Sequence, residues 1–322
     1  MIAFGWFILG IVALVGGAEL IVRGGSRLAA RLGIPPMVIG LTIVSVGTST
    51  PELAVGVEAA LRGNGSLAVG NIVGTNMVNV LFILGLSAFL KPLALKGRIL
   101  RFDLPVMTAA AVMLLVMAWD GILSRFDGGV LVFAAILYST AIIGWTRRES
   151  RRVRAEYASE YGALKDSNAR EAAFSALMLV VGIAVTVTGS GWLVDGAVDL
   201  ARMLGVSDAF IGLTIVAVGT SSPELVTTIV GTLRNDRDIA IGNLLGSSIY
   251  NILLILGISC LVPSSGVTVG LNLARVDIPL MTAVAFVSVP VFLTGRRVTR
   301  PEGGLFVGAY FGYLIYLLLT RL

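Results

Sequence analysis

Ten long apolar runs follow one another along the 322-residue chain, and they limit its possible folds more than any other feature. Each is about as long as the roughly 20 residues that an α-helix needs to cross the hydrocarbon of a bilayer. Only 13% of the residues are charged, against about 25% in soluble domains, which excludes an ordinary cytosolic enzyme. We predict an all-α polytopic membrane protein with ten transmembrane helices near residues 4–22, 37–61, 67–90, 104–119, 129–145, 172–193, 210–233, 239–262, 278–294 and 304–320.

The positive charges are distributed unevenly over the segments that join these runs. With the N-terminus outside, 19 Lys and Arg residues fall on the inside and 5 on the outside. Excess Lys and Arg is typical of cytoplasmic loops, so we predict an N-out, C-out, multi-pass membrane protein. The same bias explains the net charge of +5 without a nucleic-acid partner. The lipid bilayer is the expected surrounding, and no obligate protein partner is evident.

A duplicated segment relates the two halves of the chain. GLTIVSVGTSTPEL begins at Gly40 and recurs as GLTIVAVGTSSPEL at Gly212, and the offset of 172 residues holds as far as Ser87 and Ser259. The copies, at about 37–90 and 210–262, lie five predicted spans apart, so they cross the membrane in opposite directions. We therefore predict two inverted five-helix repeats, residues 1–146 and 172–322, joined by a cytoplasmic linker at 147–171. Secondary transporters use this architecture, with the substrate site near the membrane midplane.

Each copy carries an acidic motif inside its apolar run, ending at Glu52 in one and at Glu224 in the other. A carboxylate in hydrocarbon is costly, so it faces the bundle interior and is usually functional. The alternative is a neutral, hydrogen-bonded glutamate that only helps helices to pack. Thr48 and Ser49 precede Glu52 by four and three residues, which places all three on one helical face. The corresponding hydroxyls of the second copy are those of Thr220 and Ser221.

A proline precedes each of these glutamates. Pro51 and Pro223 lack an amide proton and clash with the preceding helical turn, which frees main-chain carbonyls near Gly47 and its counterpart. A broken helix at membrane depth is tolerated where it lines a polar cavity. The motif thus predicts a cavity rich in carboxylate, hydroxyl and carbonyl oxygens.

A second polar motif follows, GNIVGTNMVN in one copy and GNLLGSSIYN in the other. We interpret its glycines as sites of close helix packing. Asn71 and Asn243 are either ion ligands or helix-linking hydrogen-bond partners. Side chains spaced four apart offer neutral oxygens to the same cavity, namely Thr75 with Asn79 and Ser247 with Asn251. Asp103 and Asp277, at the start of two spans, are interpreted as helix caps.

Oxygen ligands with two carboxylates suit hard cations such as Na⁺, Ca²⁺, K⁺ or H⁺. Two ionised glutamates balance one Ca²⁺ or two monovalent ions, and alternate occupancy by either set is an exchange mechanism. We expect no tightly bound cofactor. An intramembrane hydrolase is disfavoured because the sequence has no histidine and no lysine within a span to activate a serine. A passive cation channel stays open as an alternative, and flux without any counter-ion would identify it.

These paired motifs resemble the two alpha-repeats of the calcium/cation antiporter superfamily, and the chain resembles the short prokaryotic form of its sodium/calcium exchanger branch. The resemblance covers essentially the whole chain and implies exchange of Ca²⁺ against Na⁺, H⁺ or K⁺-coupled Na⁺ by alternating access. It also implies a location in the inner membrane of a prokaryotic-type cell. It also implies the ion ligands: the carboxylates of Glu52 and Glu224, the hydroxyls of Thr48, Ser49, Thr220, Ser221, Thr75 and Ser247, and the main-chain carbonyls of Ser45 and Ala217.

One position departs from the family pattern. In many sodium/calcium exchangers, one of the two second motifs ends in an aspartate. In this chain both end in an asparagine, Asn79 in the first copy and Asn251 in the second. The predicted cavity therefore has one titratable group fewer. This leaves three counter-ion schemes open, namely Na⁺, H⁺ and K⁺-dependent exchange with the same site.

Overall fold

A computed structural model describes residues 2–94, 99–160, 169–204 and 217–321. Within these ranges, eight helices are long and apolar enough to cross a membrane, and a ninth span is counted if Pro36–Thr48 and Thr50–Leu61 form one interrupted crossing. The predicted span at 210–233 begins outside the described ranges. The count of ten helices and their inverted arrangement therefore stay predictions.

Helices make up nearly all of the described chain. We number the α-helices α1 (Ile2–Leu32), α2 (Pro36–Ile39), α3 (Ser45–Thr48), α4 (Thr50–Leu61), α5 (Gly65–Met77), α6 (Leu84–Leu90), α7 (Leu104–Met117), α8 (Arg125–Glu160), α9 (Ala169–Met203), α10 (Ala217–Thr220), α11 (Ser222–Leu233), α12 (Arg237–Tyr250), α13 (Gly257–Leu261), α14 (Ile278–Leu293) and α15 (Arg300–Arg321). Five π-helical segments lie between them in the described ranges: π1 (Gly40–Val44), π2 (Val78–Ile83), π3 (Ile99–Asp103), π4 (Asn251–Leu256) and π5 (Leu273–Asp277).

Among the residues that the structure describes, four two-residue strands form two small antiparallel pairs. Strand β1 (Leu93–Ala94) pairs with β4 (Arg297–Val298), and β2 (Ile122–Leu123) pairs with β3 (Val267–Thr268). Strands β1 and β3 are 174 residues apart in sequence and occupy equivalent places in the two halves. Each pair joins an early strand of one half to a late strand of the other.

The chain forms two compact units, each built from both halves of the sequence. Unit 1 contains residues 1–48 and 137–246, and unit 2 contains residues 49–136 and 247–322. In unit 1 the most extensive contact is between α1 and α9. Helix α1 also packs on α11, and α9 also packs on α3. In unit 2, α4 packs on α5 and π4, α7 packs on α14, and α6 packs on α15.

Helices α1 and α9 approach each other closely because glycines recur every seven residues along both. Gly10 lies against the backbone of Leu193, Gly17 lies against the backbone at Thr186, and Gly24 lies against that of Leu179. A side chain at any of these glycines would meet main-chain atoms 2.5 to 2.8 Å away. Small residues at such spacing let antiparallel membrane helices pack backbone to backbone.

The element bounds recur along the chain. Helices α3 and α4 reappear as α10 and α11 at an offset of 172 residues, and π3 reappears as π5 at an offset of 174. Within the described ranges, these parts of the two copies therefore fold into equivalent short helices, breaks and π-helical segments.

Candidate cation-binding site

Both acidic motifs interrupt a helix, as the prolines predict. Helix α3 ends at Thr48 and α4 begins at Thr50, and the intervening Ser49 has φ −83° and ψ 14°. Ser221 separates α10 from α11 with φ −86° and ψ 7°. Pro51 and Pro223 are the second residues of the new helices, in the first turn, where a missing amide proton leaves no hydrogen bond unmade.

One carbonyl next to the second break is bonded by a side chain. Pro223 cannot donate to the carbonyl of Gly219, which instead accepts a hydrogen bond of 2.7 Å from Ser190 Oγ on α9. Ser190 is buried, so its hydroxyl anchors the broken helix to the helix beside it. This carbonyl is therefore occupied within the protein.

In unit 1, a buried hydrogen-bond cluster joins the first motif of one copy to the second motif of the other. Ser45 Oγ lies 2.6 Å from the carbonyl of Gly40 and 2.9 Å from that of Asn243. Thr48 Oγ1 lies 3.0 Å from the carbonyl of Val44 and 3.1 Å from Asn243 Oδ1. Asn243 Nδ2 donates to Thr228 Oγ1 at 3.5 Å. Asn243 thus links three helices through its amide group.

Close backbone packing brings this cluster together. A Cβ atom at Gly242 would lie 2.6 Å from the carbonyl oxygen of Met37, and one at Gly246 would lie 2.7 Å from that of Leu41. The interpretation of these glycines as packing sites is confirmed for the second copy. The segment equivalent to 37–44 in the other copy is residues 209–216, which lie outside the described ranges.

Unit 1 also holds the second acidic motif. Glu224 on the first turn of α11 is fully buried, and Ser221 is 1% exposed. Ala217 and Thr220 begin and end α10, which packs on α11, and α3 packs on α11 as well. The structure therefore brings Ser45 and Thr48 into the same unit as Glu224, although they come from different copies.

Unit 2 holds the first glutamate, on a helix that packs against two other elements. Glu52, on the first turn of α4, is fully buried. Helix α4 packs on α5 and on π4, and α5 packs on π4. Asn71 Nδ2 donates a hydrogen bond of 3.4 Å to the carbonyl of Glu52. Asn71 and Asn243 therefore both make helix-linking hydrogen bonds, which was one of their two predicted roles.

The two asparagines that end the second motifs are buried polar residues of unit 2. Asn79 and Asn251 are both fully buried, and neither Nδ2 nor Oδ1 of either residue has a hydrogen-bond partner among the described residues. Leaving a buried amide unpaired costs about 1–3 kcal/mol per group, so a fold retains such groups for a ligand or a buried water. Asn79 lies in π2 and Asn251 begins π4. Such segments are frequent at functional sites.

The hydroxyl groups predicted from the second motifs share this unit. Thr75 lies one turn before Asn79, and Ser247 lies one turn before Asn251. Thr75 is 3% exposed and Ser247 is fully buried. Ser49, which begins unit 2, is fully buried as well.

Asn76 is a buried polar residue outside the predicted ligand set. Its amide group also lacks partners in the described structure, and it is 4% exposed. It lines a cavity of about 10 Å³ in unit 2, enough for about one water molecule. The lining consists mostly of residues at equivalent positions of the two copies: Asn76 with Ser248, Val80 with Ile252, Met107 with Met281, and Ala111 with Ala285. The signal in the sequence is the position of Asn76 inside the duplicated motif.

The interpretation of Asp103 and Asp277 as helix caps was wrong. Both have right-handed helical backbone angles and neither makes a capping hydrogen bond, because they are the last residues of π3 and π5 and so lie inside a continuing helix. Both side chains are buried, and Tyr313 donates a hydrogen bond of 3.4 Å to Asp277 Oδ1. They are helix-interior carboxylates.

Comparison with known proteins agrees with this fold and these motifs. The sequence profile of the sodium/calcium exchanger protein family matches residues 2–144 and 174–319. Inner membrane protein YrbG of Escherichia coli is 34% identical over 319 residues, covering 98% of this chain and 96% of YrbG. Sodium/calcium exchanger MaX1 of Methanosarcina acetivorans is 31% identical over 346 residues, covering 96% and 97%. The solved structure of the sodium/calcium exchanger from Methanococcus jannaschii superimposes with a TM-score of 0.83 at 26% identity over 97% of both chains.

The apolar helices and the family match together define a multi-pass membrane transporter. The chain belongs to the sodium/calcium exchanger protein family. This confirms the resemblance drawn from the motifs, and it makes the chain a transporter by family, not an enzyme.

Proposed function

We propose that this protein exchanges Ca²⁺ for Na⁺ across the inner membrane by alternating access. In this proposal Glu52 and Glu224, at equivalent positions of inverted repeats, ligate the same ions near the membrane midplane. MaX1 and the Methanococcus jannaschii protein of known structure are both named as sodium/calcium exchangers, and both are similar to almost the whole chain. This similarity supports the choice of ions.

The proposed ligands are all oxygen atoms. They comprise the carboxylates of Glu52 and Glu224, the side-chain amides of Asn79 and Asn251, the hydroxyls of Thr48, Ser49, Thr220, Ser221, Thr75 and Ser247, and the carbonyls of Ser45 and Ala217. Ca²⁺ takes 6–8 such ligands, so this set is large enough to hold Ca²⁺ and Na⁺ at alternative positions. Ca²⁺ and Na⁺ enter as transported substrates.

The observation that carries the proposal is the pair of unpartnered amides. Asn79 and Asn251 are fully buried in unit 2, which also holds Glu52, and their four polar amide atoms have no partner in the described chain. Residues kept only for packing would satisfy their amides within the protein. Carbonyl oxygens of asparagine suit Ca²⁺ and Na⁺ without adding charge, so the two glutamates set the charge of the site.

Charge balance accounts for exchange. Two ionised glutamates neutralise one Ca²⁺ or two Na⁺, and the empty site is destabilised by two buried, mutually repelling carboxylates. Conformational change across the membrane is then favoured when the site is neutralised by one set of ions. The interrupted helices at Ser49 and Ser221 supply local changes of direction next to these carboxylates.

The counter-ion is tested by imposing gradients separately on the reconstituted protein. Proteoliposomes loaded with Na⁺ and diluted into Na⁺-free buffer should accumulate ⁴⁵Ca²⁺, and collapse of the Na⁺ gradient should stop uptake. Uptake driven by a pH gradient without Na⁺ would support H⁺ exchange, and uptake that needs K⁺ together with Na⁺ would support the K⁺-dependent scheme. Calcium flux that persists without any counter-ion would contradict exchange and identify a channel.

A further inference from the structure

A second polar cavity lies in unit 1, away from the acidic motifs. It has a volume of about 560 Å³ and is lined by the last turns of α1, the first turns of α9 and the loop before α12. Three arginines face it, Arg23, Arg27 and Arg31, spaced four apart on one side of α1. Residues four apart on a helix share a face, so the three guanidinium groups form one basic stripe.

The charges of this stripe are only partly compensated. Arg23 and Arg234 share the single carboxylate of Glu19. The side chain of Arg31 is 14% exposed and pairs with Glu171 at 2.5 Å, but its Nε is buried without a hydrogen-bond partner in the described chain. Arg27 lies 4.0 Å from the sulfur of Met178 and forms no ion pair with a described carboxylate. Arg27 and Arg31 therefore retain donors for an anion.

Two acids line the cavity, namely Glu171, which pairs with Arg31, and Asp236. Ser26 Oγ donates a hydrogen bond of 2.9 Å to Asp236 Oδ1. Burial raises the pKa of Asp236, and the neighbouring Asp238 acts in the same direction, outweighing the opposite effects of Ser26 and Arg234. Burial thus disfavours the charged form of Asp236, which is the form that repels an anion.

An apolar surface continues from the cavity along α9. Phe174 lines the cavity, and Leu177 and Val181 follow it at spacings of three and four residues. These three side chains are 57%, 58% and 41% exposed. They belong to a helix long and apolar enough to span a membrane, so their exposed surface suits acyl chains. A ligand that fits both parts has an anionic head and an apolar tail.

We propose that this cavity binds the headgroup of an anionic phospholipid, with its phosphate at Arg27 and Arg31 and an acyl chain along Phe174, Leu177 and Val181. In the N-out topology that the positive-inside bias predicts, the stripe lies at the cytoplasmic leaflet. Basic clusters at that depth attract anionic headgroups, and guanidinium groups recognise phosphate through paired hydrogen bonds. The site is separate from the proposed cation ligands, and the proposal does not depend on which ions the protein exchanges.

The test titrates purified, delipidated full-length protein in detergent with dioleoylphosphatidylglycerol and follows the thermal unfolding midpoint. Dioleoylphosphatidylcholine serves as the zwitterionic comparison, and glycerol 1-phosphate serves as the headgroup without acyl chains. The variants are Arg27→Gln, Arg31→Gln and the double variant, and Arg62→Gln is the matched control. Arg62 is an exposed arginine that pairs with Glu58 outside the cavity.

We expect phosphatidylglycerol to raise the midpoint of the wild-type protein more than phosphatidylcholine does. The half-saturating lipid concentration should rise at least threefold in each single variant and at least tenfold in the double variant, and Arg62→Gln should titrate like the wild type. Equal shifts with both lipids, or an unchanged titration in the double variant, would overturn the proposal. A full shift from glycerol 1-phosphate alone would overturn the lipid assignment in favour of a soluble-anion site. Circular dichroism of each variant without lipid checks that it is folded.

Discussion

Thr48 Oγ1 lies 3.1 Å from Asn243 Oδ1, and both side chains are fully buried. Thr48 belongs to the first motif of one copy, and Asn243 belongs to the second motif of the other. The contact shows that residues of the two duplicated segments pack against each other within unit 1. Neither copy therefore completes its polar cluster alone.

We predict that Asn243→Ala destabilises the protein by about 1–3 kcal/mol, since it leaves buried polar partners unsatisfied. The partners are Thr48 Oγ1 and Thr228 Oγ1. Asn71→Ala is the matched control from the other copy, because Asn71 is only partly buried and makes a single hydrogen bond of 3.4 Å. Thermal unfolding in detergent should show the larger loss for Asn243→Ala. An equal or smaller loss would contradict its linking role.

The opposite result is predicted for Asn79→Leu and Asn251→Leu. Replacing an unpaired buried amide by an apolar group of similar volume removes its desolvation cost, so the unfolding midpoint in ion-free buffer should be unchanged or raised. Calcium uptake should nevertheless fall at least tenfold, because proposed ligands are lost. Both quantities are measured on the same protein preparations.

This combination distinguishes ligands from packing residues. If Asn79 and Asn251 only held helices together, the leucine variants would lose stability along with transport. Stability and transport that both match the wild type would contradict a ligand role. Asn243→Ala, which should lose stability, provides the reference for a structural asparagine.

The raised pKa of Asp236 predicts a pH-dependent contribution to stability. The folded state binds the proton more tightly than the unfolded state, so this group adds stability as the pH falls through its folded pKa toward the ordinary value of 3.8. Asp236→Asn should raise the unfolding midpoint most at neutral pH, and its advantage should shrink as the pH falls toward 4. Asp199→Asn, at an exposed acid of α9, is the control. An advantage independent of pH would contradict the assignment.

Features that a residue dictates locally could be predicted from the sequence. Pro51 and Pro223 cannot donate a main-chain hydrogen bond, and the helices break just before them whatever surrounds them. The buried glutamates follow from the same logic, because a carboxylate within an apolar run has to lie inside the protein. These motifs also predicted the family, which the comparison confirmed.

The features that escaped prediction depend on tertiary packing. No residue type specifies the π-helical segments at Asn79 and Asn251, since their hydrogen-bond shift responds to neighbouring helices. The capping role expected for Asp103 failed because π3 begins the helix four residues earlier. The seven-residue spacing of Gly10 and Gly17 is present in the sequence. A search for apolar runs treats glycine like any other apolar residue, so it does not reveal where two helices pack closely.

The polar stretch that joins the predicted halves was also predicted only in part. The linker expected at 147–171 is helical as far as Glu160, where α8 ends, and α9 begins at Ala169. Residues 161–168 lie outside the described ranges. Charged residues such as Arg and Glu favour helices, so the change from apolar to polar sequence marks the expected edge of the membrane without ending the helix.

The central claim is that Glu52 and Glu224 bind the transported ions, and Na⁺-gradient-driven ⁴⁵Ca²⁺ uptake in proteoliposomes tests it most directly. Glu58→Gln is the matched control, because Glu58 lies on the same helix as Glu52 but is exposed and paired with Arg62. We predict that Glu52→Gln and Glu224→Gln each abolish uptake while Glu58→Gln retains the wild-type rate. Near-normal uptake in both site variants, at equal reconstitution, would contradict the account.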